Sequence, residues 1–381
     1  MNILLLGGTG AMGTHLVKIL DAHLHSVYVT SRKRRQNFGN VKYLLGNAHD
    51  REFIDALLLD TKFDAIVDFM YYTPSEFSDR LSFYLQNTSQ YVCISSSRVY
   101  SESKSPIIEQ TPRLIDIIKD EQYLGGGHDY SLEKCQMENI IMCSEKKNWT
   151  IVRPYITYSE SRLQLGIYEL SDWYYRVVHG RTVQLSKQIA DCYTTLTYGY
   201  DVALGIAALI GQKTALGNIY HITCSKPIKW IDVLKIYSDE IYKLKGIKIK
   251  IQLTSKDIFK SVGVFDAQVV YDRLYHRIFN NSKINNFCDV QKFYLPTDRI
   301  RHCIRTFIID NEKDYFEEHK PNWWRQSLID RLTGEYAQRE EFSSEKEYQD
   351  YLTVRNDKRM LYRNKYYSYK RKIMNFLLNN K

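Results

Sequence analysis

A tyrosine and a lysine four residues apart, in Tyr130-Ser131-Leu132-Glu133-Lys134, are the side chains of this sequence best suited to move a proton. On a helix, positions i and i+4 share a face. An ammonium beside a phenol favours the phenolate, and a tyrosine so placed exchanges a proton with an alcohol or carbonyl near neutral pH. Lys134 is also placed to hold a ribose. Upstream, Ile94-Ser95-Ser96-Ser97-Arg98 puts hydroxyls at the end of an apolar run. Ligand-binding groups gather at the carboxyl ends of parallel strands, where the Ser96 hydroxyl can hydrogen-bond a substrate oxygen as its charge changes. With 31 tyrosines in 381 residues, a Tyr-xxx-Lys pair arises readily by chance. Its weight comes from order: a glycine-rich turn, the serine cluster, the tyrosine–lysine pair, then a strand.

These residues need elements to position them. Strand-like runs lie at 2–6, 27–30, 41–45, 65–69, 91–95 and 150–153, with amphipathic stretches at 12–23, 51–58 and 131–145 between them. Short apolar strands at helix-spaced intervals predict a parallel sheet covered on both faces. Directly after the first strand comes Gly7-Gly8-Thr9-Gly10-Ala11-Met12-Gly13, opening a helix near Met12. In this context Gly7 allows a tight turn, Gly10 lets the backbone approach a pyrophosphate, and Gly13 permits close helix–sheet packing. The helix N-terminus offers unpaired N–H groups to phosphate. The second strand ends Val29-Thr30-Ser31-Arg32-Lys33, without the carboxylate that would bind the ribose 2′-hydroxyl of NAD. A hydroxyl followed by guanidinium groups suits a 2′-phosphate, so NADP(H) is the expected cofactor and NAD(H) the second choice.

The bulk composition agrees. Apolar residues make up 44% of the chain, enough for a core, and no apolar run is long enough to span a membrane. Seven cysteines are scattered without a CxxC pair, which predicts neither disulfides nor a metal site and a reducing, cytoplasmic setting. The net charge of +9 is concentrated at the end: residues 353–381 hold five Lys and four Arg against Asp357 alone, a local +8. The remainder is near neutral, which argues against nucleic-acid binding by the whole chain. The expected fold class is α/β. A Rossmann-type doubly wound parallel sheet would occupy 1–158, with a return segment near 190–224. A smaller α+β substrate lobe would occupy 159–330, and a basic helical extension 331–381. Helices are expected at 167–178 and 230–243, and a strand pair at 217–223 and 247–253.

The motifs resemble those of the extended short-chain dehydrogenase/reductase family of nucleotide-sugar epimerases, dehydratases and reductases, over about residues 1–240. Residues 7–13 are similar to its GxxGxxG, Ser96 to its catalytic Ser/Thr, and Tyr130 and Lys134 to its YxxxK. Arg153-Pro154-Tyr155-Ile156-Thr157-Tyr158 is similar to RPxxxYGP, Tyr200-Asp201-Val202-Ala203 to DDVA, and Gly217-Asn218-Ile219-Tyr220-His221 to GxxYN. The resemblance implies catalytic Ser96, Tyr130 and Lys134. It implies a dinucleotide held by Gly7, Thr9, Gly10, Ala11, Met12, Gly13, Ser31, Arg32, Asn47, Phe69, Met70, Tyr71, Tyr130, Lys134, Pro154, Tyr155 and Ile156. It also implies a small-molecule nucleotide-sugar substrate and a homodimer.

The chain departs from the pattern in places. Ser159-Glu160 stands for Gly-Pro, and Phe69-Met70-Tyr71-Tyr72 for a small FAA or HAA run. Ser96-Ser97-Arg98 replaces the dehydratase Thr-Asp-Glu, which disfavours dehydration. An epimerase or a keto-sugar reductase therefore remains. Ser97, Thr157, Arg162 and Arg181 are the candidate substrate residues, with Arg176 a further candidate cation and Trp173 and Tyr174 candidate stacking surfaces. Trp323-Trp324 reads as packing. The basic tail, with Tyr362, Tyr366, Tyr367 and Tyr369 among its cations, is a candidate contact for an acidic partner or surface. The alternative reading is a catalytically idle Rossmann protein binding RNA or a scaffold partner through that tail.

Overall fold

The computed structural model describes residues 1–119, 121–124, 129–263 and 265–356. Its centre is a sheet of seven strands. The first six are β1 (Asn2–Leu6), β2 (Ser26–Ser31), β3 (Val41–Leu45), β4 (Phe63–Asp68), β5 (Thr88–Ile94) and β6 (Trp149–Pro154), and the seventh is Asn218–Ile222. All pairings are parallel, in the order Asn218–Ile222, β6, β5, β4, β1, β2, β3. Both faces are covered, so whole strands are apolar: Ile3, Leu4, Leu5 and Leu6 are all fully buried. The expected strands fall within a few residues of the observed ones.

One face is closed by helix α1 (Gly13–Ala22) and by Gly199–Leu209, through Leu16, Val17, Leu20, Val202, Ile206 and Leu209. The other is closed by α2 (Arg51–Asp60), α3 (Pro74–Gln86) and Tyr130–Met142, through Ile54, Leu58, Phe77, Leu81, Met137 and Ile141. Local chemistry sets the helix starts. Asp50 accepts from the Glu52 and Phe53 amides, and Thr73 with Glu76 forms a capping box ahead of Pro74. The strand order reverses between β1 and β4, where Leu5 lies opposite Val67 and Leu6 opposite Asp68. That reversal opens a crevice at the strands' carboxyl ends.

The second lobe packs Leu170–Val178, Trp230–Lys245, Pro296–Thr306 and Trp323–Thr333 around an aromatic core, in which Trp173 stacks on Tyr237 at 4.5 Å. The expected strand pair is corrected. The run at 217–223 becomes the seventh strand of the main sheet, with Tyr220 opposite Val152, while Ile251–Thr254 pairs in parallel with Val183–Ser186. Trp323 stacks on Phe342 at 4.0 Å and Trp324 on Phe259 at 6.0 Å, so both tryptophans pack. Glu345–Asn356 lays Tyr351 against Phe342 and Trp323. Nearly all of the basic tail, from Asp357 onward, lies outside the described residues. Among the described residues no helix is long and apolar enough to cross a membrane.

Candidate active site

The glycine turn is built by sterics. Gly7 sits at φ +70°, and its N–H donates to the Thr30 hydroxyl at 3.0 Å, tying the turn to the end of β2. A Cβ on Gly13 would meet the Gly8 backbone at 2.5–2.7 Å, so this glycine lets α1 start against its own turn. Gly199, which the sequence reading did not single out, is needed for the same reason: a Cβ there would lie 2.2 Å from the Ala11 carbonyl oxygen. Gly10 differs. It lines the cleft, and a Cβ there would meet nothing within 4 Å. No protein atom demands glycine at this position, whereas a ligand pressed against the backbone would.

Helix α1 carries no side-chain cap and no acid in its first turn, which leaves its N-terminus open to an anion. These features fit a dinucleotide pyrophosphate. Gly10→Val is therefore expected to melt like wild type in a thermal scan yet lose more than about tenfold in dinucleotide affinity. Gly13→Ala should instead lower the melting temperature. Unchanged binding by Gly10→Val would contradict the fit.

The cleft, about 520 Å³, is lined by Gly7, Gly10, Ala11, Met12 and Gly13 on one side. Phe69, Met70 and Tyr71 border it, held by Asp68, which accepts from the Met70 amide at 2.8 Å and the Tyr91 hydroxyl at 2.7 Å. Burial raises the Asp68 carboxyl above its ordinary range, against these hydrogen bonds. Thr9, Ser31, Arg32 and Asn47 do not line this cleft. Ser31 is buried and donates to the Lys33 carbonyl at 2.7 Å, Arg32 is exposed, and Asn47 is exposed with its side-chain oxygen on the His49 amide.

Ser96, Tyr130 and Lys134 line the same cleft. Asp129 caps the helix that begins at Tyr130, accepting from the Ser131 and Leu132 amides. Tyr130 is 37% exposed in the cleft, and Lys134, only 4% exposed, donates from Nζ to the Ile94 carbonyl at 3.0 Å. Nζ lies 6.0 Å from the centroids of both the Tyr130 and Tyr71 rings, which stack on each other at 5.8 Å. Ser96 opens a short 3-10 turn, with its Oγ accepting from the Arg98 amide at 3.2 Å.

Behind these groups Glu138, fully buried, joins three elements. It accepts from Ser95 at 2.6 Å, from two nitrogens of Arg153 at 2.8 and 2.6 Å, and from Arg113 at 3.4 Å. Strand β5, the tyrosine helix and β6 are thereby locked in register. Ser97 belongs to this bracing: it is fully buried and donates to the Arg153 carbonyl at 2.8 Å, away from the cleft.

The far wall holds Pro154, Ile156, Thr157 and Arg162. Ile156 is forced to φ +30°, a strained setting for a β-branched residue. Tyr155 points the other way and is buried, its hydroxyl donating to Asp272 at 3.2 Å. Arg181 is corrected as a substrate residue: it is buried and paired with Asp330 at 3.1 Å and Glu341 at 2.6 Å. Arg176 pairs with Asp330 at 2.7 Å and Glu335 at 2.8 Å, and Trp173 and Tyr174 are fully buried core. Seven cleft residues were not singled out as site residues in the sequence: Ile94, Ser95, Arg98, Gln164, Glu169, Gln268 and Arg273. Of these, Ile94, Ser95 and Arg98 carried a signal, their place in the run that holds Ser96.

A doubly wound sheet with an open helix N-terminus at its switch point, and a Ser–Tyr–Lys group on the same cleft, defines a nicotinamide-dinucleotide-dependent enzyme of the extended short-chain dehydrogenase type. The chain belongs to the NAD dependent epimerase/dehydratase family, whose model matches residues 3–222. No curated protein matches it by sequence. Solved structures share its fold. Bordetella bronchiseptica WbmH, in complex with NAD+, matches with a TM-score of 0.62 at 13% identity, covering 81% of this chain and 99% of that one. Thermus thermophilus UDP-glucose 4-epimerase, in complex with NAD, gives 0.57 at 16%, covering 81% and 100%. Bacillus cereus UDP-glucuronic acid 4-epimerase, also with NAD, gives 0.56 at 14%, covering 79% and 94%.

Proposed function

We propose that this protein transfers a hydride at a carbon of a nucleotide sugar, as an epimerase or a keto-sugar reductase, with Tyr130 exchanging the hydroxyl proton. The carrying observation is that the open N-terminus of α1, Ser96, Tyr130 and Lys134 line one cleft. A bound nicotinamide dinucleotide supplies the hydride acceptor or donor. Gly10, Met12 and Gly13 would hold its pyrophosphate, Lys134 its ribose, and the backbone at Tyr155 and Ile156 its carboxamide. Ser96 orients the sugar hydroxyl, and Tyr130 takes or returns its proton. Thr157 and Arg162 are the sugar-side contacts. The positions after Ser96 hold Ser97 and Arg98 rather than the carboxylates of a dehydratase, which disfavours dehydration. The solved relatives named for UDP-glucose and UDP-glucuronic acid support the substrate class.

The finer cofactor reading is NADP(H), because β2 ends in Ser31 and an exposed Arg32 rather than an acid. NADPH is expected to bind more tightly than NADH, and Arg32→Ala to abolish the difference; equal affinities in the wild type would refute it. The cofactor that co-purifies tests the reaction. Retained oxidised dinucleotide identifies an epimerase, and an empty site that takes NADPH identifies a reductase.

A further inference from the structure

Arg98 stands beside the tyrosine with donors to spare. Its Cζ lies 5.3 Å from the centroid of the Tyr130 ring, and it lines the same cleft as Ser96 and Thr157. Its ionic partner among the described residues is Asp272, 3.8 Å from Nε, beyond hydrogen-bond length, and Nε has no hydrogen-bond partner there. Asp272 is already committed. It pairs with Arg273, accepts from Arg277 Nε at 2.9 Å, and accepts from the Tyr155 hydroxyl at 3.2 Å. Arg277 spends its remaining nitrogens on the carbonyls of Ser101, Tyr100 and Tyr271, and Arg273 donates to the Gly166 carbonyl. Glu169, a carboxylate lining the cleft, is held by Gln164. Asp272 therefore faces three guanidinium groups, and the more distant Asp266 carboxylate also feels the Arg98 charge. Arg98, with 19% of its side chain exposed, is the guanidinium of the three that makes no side-chain hydrogen bond to Asp272.

We propose that Arg98 receives a carboxylate carried by the sugar next to its reacting carbon, so that the site selects a nucleotide-linked uronic acid; this deepens, and rests on, the nucleotide-sugar reading. A guanidinium fork matches a carboxylate through two parallel hydrogen bonds. Its place against Tyr130 sets that carboxylate at the reacting end of the sugar, where a neutral hexose offers only a hydroxyl. Specificity built on a charged partner is strong, because the wrong substrate leaves the guanidinium unpaired.

The test compares wild type, Arg98→Met and the charge-preserving Arg98→Lys on UDP-glucuronate and UDP-glucose, by calorimetry and turnover. Wild type should prefer UDP-glucuronate. Arg98→Met should lose roughly 10- to 100-fold more on UDP-glucuronate than on UDP-glucose, and Arg98→Lys should keep part of the preference. Equal losses on both sugars would assign Arg98 to the diphosphate and overturn the proposal. So would a kcat loss on both at unchanged KM, which would make Arg98 act only through Tyr130. Free glucuronate against glucose reads Arg98 without the nucleotide. If UDP fails to bind while glucuronate is preferred and the preference vanishes in Arg98→Met, the nucleotide reading fails and the role of Arg98 stands.

Discussion

Tyr130→Phe is expected to lower kcat by roughly 10³-fold while leaving dinucleotide affinity and melting temperature near wild type. The substitution removes one hydroxyl and keeps the ring. The stack on Tyr71 at 5.8 Å and the contact with the Arg98 guanidinium at 5.3 Å both survive it. More than a third of the side chain is exposed, so little folding energy depends on it. The glycine turn and α1 do not touch the missing atom, which is why binding should persist. Titration with the dinucleotide, followed by single-turnover hydride transfer, separates the two effects. Turnover near wild type would remove Tyr130 from the chemistry altogether.

The second large effect is on stability. Glu138→Ala should destabilise the protein by about 3–5 kcal/mol, because it strips the counter-charge from the buried Arg153 and partly buried Arg113 and leaves the Ser95 hydroxyl unpaired. At the few degrees per kcal/mol typical of domains this size, the melting temperature should fall by roughly 10 °C. Glu138→Gln, which keeps the shape and some hydrogen bonds, should lose less. The damage should also reach turnover, since Glu138 holds the Ser96 strand end and the Tyr130 helix to one another. A melting curve for Glu138→Ala that overlays wild type would show that this network is ornamental.

How much of this was legible depended on the range of the interaction. The glycine turn, the strand runs and the Tyr130–Lys134 pair are local patterns, each readable within about ten residues. Arg153 was read as part of a motif, but its partner Glu138 is fifteen residues earlier on another element, and nothing local marks it. Arg162 and Arg181 looked alike as cations near the second lobe. One lines the cleft, while the other is neutralised by Asp330 and Glu341, about 150 residues away. Tyr155 and Ile156 are adjacent, and backbone direction alone sends one into the core and the other to the cleft.

By itself the sequence determined that a glycine-rich turn, a serine cluster and a tyrosine–lysine pair follow one another along a doubly wound sheet, because periodicity and glycine sterics act over short spans. Tertiary structure decided which cations remain free. That choice depends on which carboxylates the fold brings within a few ångströms, and the fold spends Asp272, Asp330, Glu335 and Glu341 on Arg277, Arg176 and Arg181 while leaving Arg98 underpaired beside Tyr130.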